Sequence, residues 1–206
     1  MDTKLLKKAA EFHGHTCPGL ALGVRVSALA LKEFSGRARD EELVAIVEND
    51  SCAVDAIQVL TGCSFGKGNL IFRDYGKQVY TFIKRRERGI KGLSGDALRV
   101  SVHWKSPEET PAEKAMWQRY MNGERTEEVL KAVHRRRSGK IKAILEASDE
   151  ELFKIKRLKM EPPCEARISP SVICAECGEK TMETKLRVIG GRQLCQPCFE
   201  KTACRR

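Results

Sequence analysis

The chain has 206 residues, a formal net charge of +10 and nine cysteines, and its length suits one domain or one domain with a small module. Because Arg25 and Lys32 interrupt the best candidate for a membrane span and the start does not resemble a signal peptide, we expect a cytoplasmic protein with no membrane segment. So many cysteines then indicate metal or thiol chemistry rather than a disulfide framework.

The first elements surround a loop rich in metal-ligating residue types. Apolar spacing predicts a helix over residues 2–12 and a second, nearly all-apolar helix over residues 18–34. His13, His15 and Cys17 then fall in an extended loop, where alternate side chains point the same way. Imidazole and thiolate are preferred zinc ligands, and the following helix N-terminus favours the thiolate of Cys17. A capping loop with incidental histidines is the alternative interpretation.

Further candidates lie on the next helix and just after it. Residues 43–47 form a short β-branched run that predicts a buried strand, and residues 52–61 predict a helix. Cys52 and Asp55 share one face of that helix, because they are three residues apart. Cys63 follows the helix end, just before a glycine-rich loop that lacks the spacing of a phosphate-binding loop.

The next part of the chain is rich in strands. Residues 70–73 and 78–83, joined by a turn, predict a β-hairpin, and the alternating run 97–104 predicts a half-exposed strand. Because strands and helices are segregated along the chain, the pattern favours an α+β fold with a mainly antiparallel sheet packed with helices.

Most of the positive charge lies in the middle of the chain. Helices are predicted over residues 111–121, 126–137 and 140–146. Residues 84–159 carry twenty basic and twelve acidic side chains, whereas residues 1–83 are neutral. Such an excess marks either a solvated helical face or a surface for nucleic acid or an acidic protein.

The C-terminal part carries the most specific pattern. Two C-x2-C pairs, separated by seventeen residues, are formed by Cys174, Cys177, Cys195 and Cys198. Two such pairs are typical of a four-thiolate site for structural zinc, whereas a redox pair is the alternative. A Gly-Gly hairpin between the pairs, followed by a helix, predicts a treble-clef-like zinc finger. We therefore divide the chain into an α+β core domain at residues 1–160 and a zinc finger at residues 165–206.

Several motifs together resemble the E-subunit family of formylmethanofuran dehydrogenase. The resemblance rests on the loop at residues 12–20, the segment 52–63, the glycine loop at 66–70 and the turn at 74–77. It implies an α+β core, often dimeric, with a metal site near the His-Cys loop. It also implies a methanogenesis-related link to the molybdenum or tungsten enzyme that reduces carbon dioxide onto methanofuran. The four-cysteine module resembles the zinc finger that some members append.

One functional hypothesis is an enzyme accessory or a small metal-dependent enzyme whose core binds zinc or another transition metal. The candidate residues are His15, Cys17 and Cys63, with Cys52, Asp55 or His13 as the fourth ligand or a supporting group. Asp55 would orient a histidine or act as a catalytic base. Cys63 is preferred to Cys52, because an unbroken helix separates the two by about 16 Å and the glycines beside Cys63 leave room for a ligand.

The other hypothesis is a nucleic-acid- or protein-binding module that uses the zinc finger and the basic middle region. Under either hypothesis we expect a homodimer or one component of a larger enzyme complex. The expectation rests on the family resemblance and on the apolar helix at residues 18–34, which exceeds what a core of this size is expected to bury alone.

Overall fold

A mixed sheet organises the larger part of the chain. The structure is a computed structural model that describes residues 3–85, 95–165 and 168–204. Contacts divide the chain into two compact units, Met1–Glu165 and Ala166–Arg206. Each unit has its own buried core, so each is described separately.

Within the described residues, the first unit contains a five-stranded sheet with the order β2-β1-β3-β4-β5. The strands are β1 (Leu43–Val47), β2 (Leu70–Phe72), β3 (Val79–Lys84), β4 (Gly95–Val102) and β5 (Phe153–Met160). Neighbouring strands are antiparallel except β1 and β2, which are parallel. The predicted α+β class with a mainly antiparallel sheet is therefore confirmed.

Helices pack against the sheet and against each other. They are α1 (Thr3–His13), α2 (Pro18–Glu33), α3 (Ala53–Thr61), α4 (Pro111–Met121), α5 (Glu127–Glu146) and α6 (Asp149–Leu152). Helix α2 contacts α1, α3 and α5, and its Leu20, Val24 and Val26 are fully buried. The apolar helix is thus covered by its own chain, contrary to the expectation that a second copy is needed to bury it.

The hairpin predicted between residues 70 and 83 is wrong, because β2 and β3 lie on opposite sides of β1. All five residues of β1 are buried, so this strand needs a hydrogen-bonded neighbour along each edge. The connection crosses the end of β1, where the amide of Arg73 donates to the Val47 carbonyl at 2.9 Å and that of Lys77 to the Glu48 carbonyl at 3.0 Å.

Two further elements differ from the sequence predictions. Strand β5 is not apparent in the sequence because basic residues follow one another along it, yet it pairs with β4 over its whole length. The two helices predicted over residues 126–146 are one, α5, which continues through Gly139 because Val133 and Ile144 are both buried on the face toward the core.

Glycines of α2 allow the start of α3 to approach closely. A Cβ atom added to Gly23 would lie 2.4 Å from the carbonyl oxygen of Ala53. One added to Gly19 would lie 3.3 Å from the Cβ atom of Cys52. Because the two glycines are four residues apart, they lie on one face of α2 and bring the N-terminus of α3 next to that of α2.

We expect Gly23→Ala to lower the free energy of unfolding by about 1–3 kcal/mol, because the backbone of α3 must shift to admit the methyl group. Gly139→Ala is the matched control, since a Cβ atom there meets nothing within 4 Å. The control should raise stability by about 0.5–1 kcal/mol, because alanine is the better helix former. Urea unfolding measures both variants, and an unchanged midpoint for Gly23→Ala would contradict the close packing.

The second unit is a small β-rich module that ends in a helix. Its elements are β6 (Ser171–Ile173), β7 (Lys180–Met182), a 3-10 turn (Glu183–Lys185), β8 (Arg187–Ile189), β9 (Arg192–Leu194) and α7 (Gln196–Ala203). β6 pairs with β7 and β8 with β9, both antiparallel. Among the described residues of both units, none of the helices combines the length and the apolar character needed to cross a membrane.

Candidate metal centres

The four cysteines of the second unit converge on one point. Their Sγ atoms all lie within 4.8 Å of one another. The Sγ atoms of Cys177 and Cys195 are 3.8 Å apart. A tetrahedral zinc site with Zn–S bonds of about 2.3 Å places its sulfur atoms about 3.8 Å apart. The cluster therefore has the dimensions of a structural zinc site.

Backbone amides and neighbouring sulfur atoms act in opposite directions on these thiols. Amides of Cys177, Cys195 and Glu176 directed at the sulfur lower the pKa of Cys174 to about 6. The adjacent Cys195 sulfur and burial raise the pKa of Cys198 to about 12. One thiolate is thus stabilised by the backbone, whereas four adjacent thiolates require the positive charge of a metal ion.

A second cluster lies in the core domain, where α1 ends and α2 and α3 begin. It consists of His13, Cys17 and Cys52, whose ligand atoms lie within 4.8 Å of one another. His13 is the last residue of α1, Cys17 precedes α2, and Cys52 precedes α3. All three are half-buried.

Cys17 is held by the first turn of α2. Its backbone is extended, with φ −139° and ψ 166°, and its Sγ atom accepts a hydrogen bond from the amide of Leu20 at 3.3 Å. Pro18 favours both features, because it restricts the preceding residue to extended conformations and is well suited to the first helical position. The sulfur is therefore fixed at the positive end of a helix.

His13 is oriented by Asp55. The Nδ1 atom of His13 lies 2.7 Å from the Oδ2 atom of Asp55, and its Nε2 atom lies 4.0 Å from the Sγ atom of Cys17. A carboxylate only accepts hydrogen bonds, so Nδ1 carries the proton and Nε2 presents its lone pair to the two cysteines. A carboxylate–histidine pair of this kind supports the imidazole in many metal sites.

The remaining thiol of the cluster, Cys52, is close to Cys17. Partial burial, and then the neighbouring Cys17 thiol, raise the pKa of Cys52. As with the cysteines of the zinc finger, a cation between the sulfur atoms would offset both effects.

The structure does not bring Cys63 or His15 into this cluster. Cys63 lies beyond the other end of α3, where it is fully buried and its thiol donates to the Leu43 carbonyl at 3.4 Å. Burial raises the pKa of Cys63 to about 11. The preference for Cys63 over Cys52 is thus not supported, because the packing of α2 on α3 selects the N-terminal end of α3.

His13, rather than His15, faces Cys17, because α1 continues through His13 instead of ending before it. Gly14 follows with a φ of +88°, a left-handed conformation that ends the helix. His15 is exposed, and its ring centroid lies 4.5 Å from that of His13. The three residues therefore do not form the single extended loop that the sequence predicts.

A cavity of ≈ 380 Å³ opens beside the core cluster. Its lining includes His13, Cys52 and Asp55 on one side and the apolar side chains of Val54 and Phe72 on another. The cluster thus has direct access to a space that can hold a small molecule.

Asn49, which also lines the cavity, shapes the turn before Cys52. Its Nδ2 atom donates to the Lys77 carbonyl at 2.6 Å, and its Oδ1 atom accepts from the amide of Ser51 at 3.1 Å. The sequence interpretation missed Asn49, although an Asn-Asp-Ser sequence before a helix is a turn signal. The Tyr80 hydroxyl lies 3.4 Å from the Ser51 hydroxyl and ties this turn to β3.

Comparisons with known proteins agree with both clusters. Residues 12–154 match the family described as FmdE, molybdenum formylmethanofuran dehydrogenase operon. Residues 167–202 match the prokaryotic dksA/traR C4-type zinc finger.

Two similar proteins extend these matches. A probable S-adenosyl-L-methionine-binding protein of Archaeoglobus fulgidus is 34% identical over 204 residues, covering 90% of this chain but 50% of the relative. The chain thus spans half the length of this curated relative. The crystal structure of an FmdE-like protein of the tungsten formylmethanofuran dehydrogenase type, from Syntrophus aciditrophicus, has a TM-score of 0.61 at 23% identity, covering 97% of this chain and 92% of that one. At this identity the likeness concerns the fold alone.

Proposed function

The chain belongs to the FmdE family, and from this membership we propose that it is an enzyme accessory or a small metal-dependent enzyme with a metal ion in its core domain. The observation that carries the proposal is the cluster of His13, Cys17 and Cys52 beside an open cavity. The zinc finger is a separate, structural metal site.

The residues of the core cluster fit a soft transition metal. One imidazole and two thiolates are donors that zinc and related ions prefer over magnesium or calcium. Three protein ligands leave one coordination position for water or substrate, as in catalytic zinc sites. A metal held in this way acts as a Lewis acid toward a bound molecule.

We assign Asp55 the role of orienting His13, in preference to that of a catalytic base. Its Oδ2 atom is already engaged by Nδ1 of His13 at 2.7 Å. The hydrogen bond fixes the ring and increases the basicity of Nε2 as a ligand.

Asp55→Asn should weaken binding of the core metal by about 10–100-fold, because the amide does not hold His13 as an acceptor in the same way. Asp50→Asn is the matched control, since Asp50 also lines the cavity but Asp55 is the carboxylate that His13 contacts. Competition with a chromophoric chelator measures the affinity of each variant. Equal affinities of Asp55→Asn and the wild type would contradict the orienting role.

The alternative, a nucleic-acid-binding module, is less favoured by the contacts of the finger. Arg192 pairs with Glu176 and donates to the Ala175 carbonyl, and Arg187 donates to the Gln196 side chain at 3.3 Å. Arginines engaged in this way have fewer donors left for phosphate groups.

Partners are proposed from the family, whose name points to a component of a larger enzyme. We propose that the protein acts as a homodimer or in such a complex, with the methanofuran-linked dehydrogenase as the reference case. Light scattering at micromolar concentration tests the homodimer. We also propose S-adenosyl-L-methionine as a ligand to test, because the Archaeoglobus relative carries that name.

A further inference from the structure

We infer that the cavity beside the core cluster binds a cationic amphipathic molecule, an amine or onium group with an apolar body, and excludes phosphorylated substrates. The inference deepens the proposed function, on which it rests for the metal at one end of the cavity. It is carried by the charges and the aromatic side chains that line the cavity.

The charged groups of the cavity wall are of one sign apart from the histidine. Asp50 and Asp55 both line it, and among the described residues that line it there is no lysine or arginine. Asp50 is exposed and Asp55 is half-buried, so both carboxylates are accessible to a ligand. A site for phosphate would instead require arginine, lysine or a glycine-rich backbone cradle.

The N-terminus of α3 acts in the opposite direction but is already compensated. Helix N-termini carry a partial positive charge of about half an elementary charge and favour anions. Asp55 lies in the first turn of α3, and Asp50 lies three residues before the helix begins. Two carboxylates outweigh this partial charge, so the cavity retains a net attraction for cations.

Two phenylalanines form an exposed apolar part of the cavity wall. Phe65 is 75% exposed and Phe72 is 44% exposed, although both line the cavity. The amide of Phe65 donates to the Gln58 side chain at 3.2 Å, which links its loop to α3. Exposed aromatic faces at a cavity attract both an apolar body and a cation.

The remaining wall completes an amphipathic site. Val47, Val54 and Leu70 supply apolar surface, whereas Ser51 and Gln58 supply polar atoms. A ligand with a charged head beside the aspartates and an apolar tail against the phenylalanines would match both kinds of surface.

The test uses a pair of probes with similar shape and opposite charge. Binding of 2-phenylethylamine and of 3-phenylpropionate to the zinc-loaded full chain is measured by calorimetry. We expect the amine to bind at least about tenfold more tightly, since its charge is complementary to two carboxylates. Equal binding, tighter binding of the carboxylate, or no detectable binding of the amine would overturn the inference.

Variants with matched controls locate the binding. Asp50→Asn should weaken amine binding about fivefold and Phe65→Ala about threefold. Asp74→Asn and Phe12→Ala change an exposed carboxylate and an exposed ring that lie outside the cavity lining, and neither should alter binding. Equal effects of the controls and the cavity variants would assign the amine to another surface and contradict the inference.

Cys52→Ser separates this inference from the proposed function. If this variant loses the core metal and still prefers the amine, the inference and the proposed function both stand. If the wild type carries no core metal but prefers the amine, the inference stands and the proposed function fails. If the core metal is present and the amine does not bind, the inference alone fails.

Discussion

Removal of the metal by a strong chelator is expected to unfold residues 168–204 and to leave the core domain folded. The finger has a small buried core, formed by Leu194 together with Cys174, Cys195 and Cys198. A module of about forty residues rarely folds on so little apolar surface without a metal or disulfide. Structural zinc contributes about 10–16 kcal/mol of apparent binding free energy to such modules, and this becomes folding free energy.

Amide hydrogen exchange of the full chain, with and without chelator, measures this effect for both units in one experiment. Cys204→Ser is the control, because Cys204 is exposed and outside the four-cysteine cluster. Cys174→Ser should mimic the chelator, whereas the control should not. Protection of the finger amides that survives complete removal of metal would contradict the zinc assignment.

Arg25→Met is expected to lower the free energy of unfolding of the core domain by about 3–5 kcal/mol. The Arg25 side chain is 10% exposed and lies in the middle of α2. Its Nη1 atom donates to the carbonyls of Ile144 and Ala147 at 2.7 Å, and its Nη2 atom donates to Asp149 at 2.7 Å. It thus satisfies the C-terminal carbonyls of α5 and joins that helix to α2.

Methionine keeps the apolar length of the side chain but leaves these buried carbonyls and Asp149 without their donor. Lys32→Met is the matched control, because Lys32 is an exposed cation on the same helix. Denaturant unfolding of both variants measures the difference. Similar small losses in the two variants would show that the contacts of Arg25 with α5 contribute little.

The local features of the fold follow from the sequence. The α1 and α2 helices, the buried β1 and the cysteine-rich finger all have short-range signals, such as apolar periodicity, Pro18 after Cys17, and the two C-x2-C pairs. The family was also identified from motifs, and the matches at residues 12–154 and 167–202 confirm that identification.

Strand order and the composition of the core cluster depend on contacts that are distant in the sequence. The insertion of β1 between β2 and β3 leaves no local signal, because the connecting turn suits a hairpin equally well. The choice between Cys52 and Cys63 was made from the glycines near Cys63. The relevant glycines are Gly19 and Gly23 in α2, which bring Cys52 to Cys17.

The central claim is that His13, Cys17 and Cys52 bind a metal ion in the core domain, separately from the zinc of the finger. Metal analysis of purified wild type, Cys52→Ser and Cys63→Ser tests it most directly, with circular dichroism to verify that each variant is folded. We predict two equivalents of metal per chain in the wild type and in Cys63→Ser, and one equivalent in Cys52→Ser. One equivalent in all three proteins, or loss of the second equivalent in Cys63→Ser but not in Cys52→Ser, would contradict the claim.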